Sequence, residues 1–415
     1  MVRHSWALAI TASAFLAACN RHPATGSALQ RSAYVWQRQW TSAVSEAVSA
    51  NAAQLDKIVA LGAEIEWKGT TSRVMHSDID WPALKHYGQC GVALRVTAGA
   101  ESLHVEQFPF ATITTAAETL LAEARRNEVP LTEVQLDFDC AVSQLRAYAQ
   151  WVAALREKIR PIRLVITTLP AWLDSSAFET LVHGCDAYVL QVHSIPLHAP
   201  TASWSICDSA LARKWVLKAA GYKKPFAVAL PTYRCVAGYS PAGQLLGISM
   251  DSVRGSWPPD TTLREFAANP DDLANLVREW QESHPAELRE ILWYRLPVET
   301  DARNWRPVTF AAVVAGRTPR HQLEVVERGD NPVDLAIRNN GEADEHASVR
   351  VIVLSDQPAL AADALTGYSV ELDKAQSIFA TNAGESLSLR PGEQRDIGWL
   401  RFAGPAKLKF ELFSR

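Results

Sequence analysis

Several ionisable side chains recur at two-residue spacing. In Val134-Gln135-Leu136-Asp137-Phe138-Asp139 apolar and polar residues alternate, which is the side-chain period of a strand. With Val134, Leu136 and Phe138 on one side, Gln135, Asp137 and Asp139 share the other. The same alternation pairs Glu64 with Glu66 in Leu61–Trp67, and Arg95 with Ala93 and Gly91 in Gly91–Thr97. Carboxyl groups gathered in a cleft raise one another's pKa, and a pair of them can do general acid/base work. Burying an unpaired charge is costly, so Arg95 is expected to bridge Glu64 and Asp137 as a structural ion pair. Glu66 and Asp139, one step nearer the strand ends, have no cation assigned to them. They are the expected catalytic pair, with Asp139 as acid, Glu66 as base or nucleophile, and Asp137 tuning Asp139. In glycoside hydrolysis a separation of about 5–5.5 Å would mean retention and about 6.5–9.5 Å inversion.

These residues meet only if their strands are neighbours with one common inside. Eight short β-rich runs alternate with helix-period stretches: Ala33–Gln37, Leu61–Trp67, Gly91–Thr97, Glu133–Asp139, Ile162–Thr168, Asp186–His193, Phe226–Thr232 and Ile291–Leu296. Leu145, Ala149, Val152, Leu155 and Ile159 form the apolar stripe of a crossover helix. Asn269-Pro270-Asp271-Asp272 is a helix start. Eight strands favour a closed (β/α)₈ TIM barrel over residues 33–317, with chemistry at the C-terminal ends of the strands. Inward parity then adds Gln191 and His193 on the sixth strand and Trp293 and Arg295 on the eighth, while His183 and His198 read as surface residues. The stretch from Arg234 to Asn269 is long for a loop and so expected to be either functional or a disordered insertion. Tyr239, Arg254 and Trp257 within it would close over a bound chain, and a Cys207–Cys235 disulfide would staple it.

After Gly316 the pattern becomes strands punctuated by turns: Leu323–Glu327, Val333–Arg338, Val349–Leu354, Tyr368–Leu372, Leu387–Leu389, Trp399–Phe402 and Leu408–Phe413. Asn339-Asn340-Gly341 and Arg390-Pro391-Gly392 mark turns. An immunoglobulin-like β-sandwich over 318–415 is expected.

The strand-four motif resembles that of chitinase-like glycoside hydrolases, whose barrels carry Asp-Gly-x-Asp-x-Asp-x-Glu. Leu164–Pro170, Asp186–Ser194, Phe226–Tyr233 and Trp293 follow in the same order. Asp137 and Asp139 match the second and third acids, and the resemblance makes Trp293 the floor of a sugar subsite. The first Asp falls at Val134 and the proton-donating Glu at Ala141, so a different acid is required. Closer still, Leu292-Trp293-Tyr294-Arg295-Leu296-Pro297-Val298-Glu299-Thr300-Asp301 with Asn304-Trp305 resembles a bacterial lipoprotein family designated domain of unknown function 3142. That likeness covers most of residues 33–317.

At the N-terminus Arg3, an apolar run from Trp6 to Ala18 and Leu16-Ala17-Ala18-Cys19 resemble a lipoprotein signal peptide. The run is too short to span a bilayer. The resemblance implies lipidation at Cys19, and Asn20 implies outer-membrane placement facing the periplasm. Residues 19–32 read as a flexible tether. A net charge of −4 with no basic run excludes nucleic acid as partner. No clustered Cys/His spacing is present, so neither a metal nor a cofactor is expected. The expectation is an envelope-anchored glycoside hydrolase-like protein acting on a polysaccharide. The alternatives are a carbohydrate-binding lipoprotein holding a glycan on Trp293, Trp67 and Tyr233, and an envelope scaffold.

Overall fold

The computed structural model describes residues 28–68, 71–98, 109–195, 205–250, 257–373 and 376–415. Cys19, His198 and Arg254 lie outside them. Eight parallel strands form the barrel: β1 (Gln30–Val35), β2 (Lys57–Lys68), β3 (Gln89–Ala98), β4 (Leu131–Phe138), β5 (Arg163–Thr168), β6 (Ala187–Gln191), β7 (Phe226–Pro231) and β8 (Leu288–Tyr294). Each pairs with the next, and β1 pairs with both β2 and β8, which closes the cylinder. β1 starts at Gln30, so residues 30–32, expected in the tether, belong to the barrel.

Helices α1 (Ser42–Ala50), α2 (Trp81–Leu84), α3 (Phe110–Arg126), α4 (Leu145–Ile159), α5 (Ser176–Gly184), α6 (Ser209–Ala220), α7 (Pro270–Glu282) and α8 (Pro307–Val314) follow the strands. The side chain of Asn269 caps α7 through Asp271 N and Asp272 N, satisfying amides that have no partner inside the helix. Outward residues such as Val134, Leu136 and Phe138 pack with the helices into one large core. Inward residues Tyr34, Val59, Ala93, Val165, Val189, Ala229 and Leu292 form a second. On β2 the register with β3 shifts between Leu61 and Ala63. This bulge moves the outer face from Ile58 and Ala60 to Ala63, Ile65 and Trp67, so Glu64 and Glu66 do point inward.

The barrel floor is polar. Lys57 Nζ lies 2.8 Å from Glu133 and 2.9 Å from Glu290. Gln135 donates to Glu133 at 2.7 Å and accepts from the Tyr34 hydroxyl at 2.5 Å, carrying the network up to the middle of the barrel. Gly91 makes room for it: a Cβ there would stand 2.9 Å from Glu133 Cγ.

Beyond residue 318 two four-stranded antiparallel sheets enclose a core that includes Leu335, Val351, Phe379, Ile397 and Leu400, making a β-sandwich. Strands Glu345–Ala347, Ala361–Ala364 and Gln376–Thr381 were not expected from the sequence. Polar contacts dock the sandwich on the barrel. Arg390 donates to Asn304 O at 2.7 Å, Arg306 meets Glu393 at 3.4 Å, and Arg234 pairs with Asp344. His321 lies 3.0 Å from both Asp271 and Glu345. Between the domains runs a groove of about 450 Å³ whose lining includes Tyr233, Asp271, Trp305, His321 and Asp344.

Candidate functional site

A cavity of about 330 Å³ opens where the strands end, the face on which barrel chemistry is built. Inward residues of successive strands line it: Tyr34 and then Trp36 beyond β1, Arg95 from β3, Asp137 and Asp139 from the end of β4, and Thr167 from β5. Gln191 and His193 from the end of β6, Tyr233 beyond β7 and Tyr294 from β8 complete the ring.

Thr167 Oγ1 donates to Asp137 Oδ1 at 2.7 Å. Burial raises the pKa of Asp137, with that bond and the Arg95 charge working against it. Asp139, one residue past the strand, keeps a side open to solvent while protein crowds the others. Its carboxyl is pushed up to about 6, first by burial and then by the Asp137 charge, with Arg95 pulling the other way. Burial drives His193 down to about 4, so its imidazole is neutral. That ring lies 5.6 Å from Tyr294, nearly parallel to it. Its Nδ1 is 3.5 Å from the Tyr233 hydroxyl, and its Nε2 has no hydrogen-bond partner among the described residues. Tyr34, Trp36 and Tyr294 form an edge-to-face cluster.

Thus Arg95, Asp137, Asp139, Gln191, His193 and Tyr233 are brought together. Glu66 is inward but is not among the cavity-lining residues, since β2 runs on past the rim in a hairpin with the strand Thr71–His76. The expected Glu64–Arg95 ion pair is corrected: the two residues are in register on β2 and β3, yet the Glu64 carboxylate is held by Arg38. Trp67, expected at the cavity, is 1% exposed in the helix layer, edge-on to Trp151 of α4. Trp293 is likewise 1% exposed and packs on Trp305 and on Phe310 of α8. Inward parity on β8 runs Glu290, Leu292, Tyr294, so the aromatic in the cavity is the residue after Trp293. Arg295 is tied to Asp301 at 2.6 Å, outside the lining, and Asn304 Nδ2 donates to its carbonyl at 3.2 Å. The Trp-Tyr-Arg-Leu-Pro segment is therefore largely a structural lock between β8, its loop and α8.

The residues missed by sequence reasoning are Tyr34, Trp36, Thr167 and Tyr294, together with Leu169, Ile195, Ala229, Ile248 and Met250. The same parity that selected Gln135 would have selected Tyr34 and Trp36. The insertion after β7 is a three-stranded antiparallel sheet with Arg234–Tyr239 between Leu245–Ser249 and Thr262–Ala267. It reaches the cavity through Ile248 and Met250. The aromatics expected there face elsewhere: Tyr239 is buried under Arg264, and Trp257 covers Gly238 and Gly247. Cys207 and Cys235 are buried free thiols, so the expected staple is not formed. His183 is on the surface, as expected. Among the described residues no group of three His, Cys, Asp or Glu is placed to hold a metal.

No curated protein sequence matches the chain. Among solved structures it is similar to the spore cortex-lytic enzyme SleL of Bacillus cereus, at 11% identity over 71% of this chain and 75% of that one, with a TM-score of 0.49. SleL of Bacillus megaterium QM B1551 is similar at 12% identity over 65% and 71%, with a TM-score of 0.47. A chitinase from Bacteroides thetaiotaomicron is similar at 11% identity over 65% and 90%, with a TM-score of 0.43. Residues 323–403 match a family described as Domain of unknown function (DUF8456). Residues 102–299, which end just past β8, match a family described as Domain of unknown function (DUF3142).

Proposed function

We propose that the cavity binds a glycan and that Asp139 serves as the proton donor in its hydrolysis. One observation carries the reading: a carboxyl with a pKa near 6 stands at the mouth of a cavity walled by Tyr34, Trp36, Tyr233 and Tyr294. Aromatic rings present apolar faces and polar edges, which suit sugar rings. A donor must still hold its proton at working pH. In the proposed step Asp139 gives its proton to the glycosidic oxygen as the C–O bond breaks. Asp137 stabilises the cationic carbon, water adds to that carbon through its oxygen, and the proton it releases restores the Asp139 acid. Glu66, outside the lining, has no part in this step.

A second reading, a glycan-binding barrel without turnover, is favoured by one feature. Both cavity carboxyls come from the end of one strand, and among the described residues that line the cavity there is no third carboxyl across from them. A chromatographic assay over a glycan panel, run beside calorimetry, separates the two. Hydrolysis that falls about 10²–10⁴-fold in Asp139→Asn with binding retained supports the enzyme. Binding without products supports the second reading, and absence of binding leaves an envelope scaffold. The proposal also places the chain at the outer membrane, anchored through Cys19. Failure of Cys19 to incorporate labelled lipid in cells would remove that placement.

A further inference from the structure

Arg95 stands in register between two acids, Glu64 on β2 and Asp137 on β4, and bonds to neither. Arg38 takes the Glu64 carboxylate and Thr167 takes that of Asp137. The half-buried Arg95 guanidinium lines the cavity and makes no ion pair or hydrogen bond among the described residues. Its charge acts on Asp137, Asp139 and Tyr294, which come from the fourth and eighth strands, so the group stands between the two sides of the cavity. Without a protein acceptor, the guanidinium is left to solvent until an anion takes its place. Its planar fork fits a carboxylate through two parallel N–H···O bonds.

Resting on the glycan reading above, we infer that Arg95 receives a carboxylate carried by the bound sugar, so the substrate class is an acidic glycan containing a uronic acid. A neutral sugar offers the fork only single hydroxyl acceptors and no opposite charge. Asp137 and Asp139 flank the same space, and their raised proton affinities lower the repulsion of an incoming anion as pH falls towards 6.

The test is calorimetric titration of the full chain with hyaluronan and oligogalacturonate tetrasaccharides, each beside its carboxyl-reduced counterpart, and with neutral chitin oligosaccharides. The expected result at pH 6 is at least a tenfold preference of the native chain for one acidic tetrasaccharide over its reduced form. Arg95→Gln should abolish that preference and Arg95→Lys should keep part of it, with unchanged circular dichroism showing that both variants fold. Equal affinity for acidic and reduced forms, or a preference that persists in Arg95→Gln, overturns the assignment. Binding of chitin oligosaccharides alone overturns the acidic class but leaves the glycan reading standing. Binding of nothing removes both.

Discussion

Burial and the charge of Asp137 lift the Asp139 carboxyl to about 6, whereas an unfolded aspartic acid titrates near 3.9. The folded state therefore binds protons more tightly, and stability is lost as pH rises from the unfolded value through the folded one. Asp139→Asn is expected to raise Tm at pH 7.5 relative to the native chain, and the difference should vanish below about pH 4. If Asp139 is the donor, hydrolysis should fall as pH rises through 6 on the same titration. A flat pH–rate profile from 5 to 8 would remove that role. Lys57 poses the opposite case, being a buried cation between Glu133 and Glu290 whose pKa they raise against the opposing effect of burial. Lys57→Met strands two buried carboxylates, and about 3–5 kcal/mol of unfolding free energy should be lost in urea titrations at pH 7. Gln135 and Asp137 were legible because Val134, Leu136 and Phe138 mark the outer face of their strand. Lys57 and Glu290 were not, because β2 and β8 begin before the apolar runs by which the sequence announces them.

All eight barrel strands could be read from their apolar runs, whereas the misplacement of Trp293 traces to register within its strand. Alternate residues counted over Ile291–Leu296 turn Trp293 inward, but Glu290 fixes the parity of β8 from below and turns Tyr294 in. The bulge at Gly62 had its signal in the sequence, a lone glycine inside an apolar strand run. The insertion after β7 showed in sequence only as unusual length. Its sheet depends on close approach, since a Cβ on Gly238 would lie 2.4 Å from the Trp257 ring. Gly238→Val should unseat Trp257, expose the segment around residues 240–260 to limited proteolysis, and weaken ligand binding through Ile248 and Met250. Barrel Tm should move little; cleavage and affinity identical to the native chain would show that the sheet does not serve the cavity. The expected disulfide is absent although both thiols are packed in the barrel core, with the Cys207 thiol 3.5 Å from Val192 O. Burial pushes their pKa values up to about 12 and about 11, so neither ionises near neutrality.

At the scale of the whole molecule, two domains meet through charges rather than a shared apolar core. His321 joins Asp271 of the barrel to Glu345 of the sandwich. Burial lowers its pKa, but those two carboxylates more than offset it and the net shift is upward. The sign follows: the latch contributes fully below about 6.5, the value for an unfolded histidine, and is lost as pH rises through the folded value. Differential scanning calorimetry is expected to show the two domains melting closer together at pH 6 than at pH 8.5, with His321→Ala removing the difference. A pH-independent thermogram in the native chain would show that other contacts hold the domains. Tyr233 forms part of the wall of both the cavity and the interdomain groove. It is a partition between two chambers, one of them completed by the sandwich. Cutting the chain near residue 318 to obtain a simpler reagent would strip support from the far side of that partition, so affinities measured on an isolated barrel would describe a different receptor.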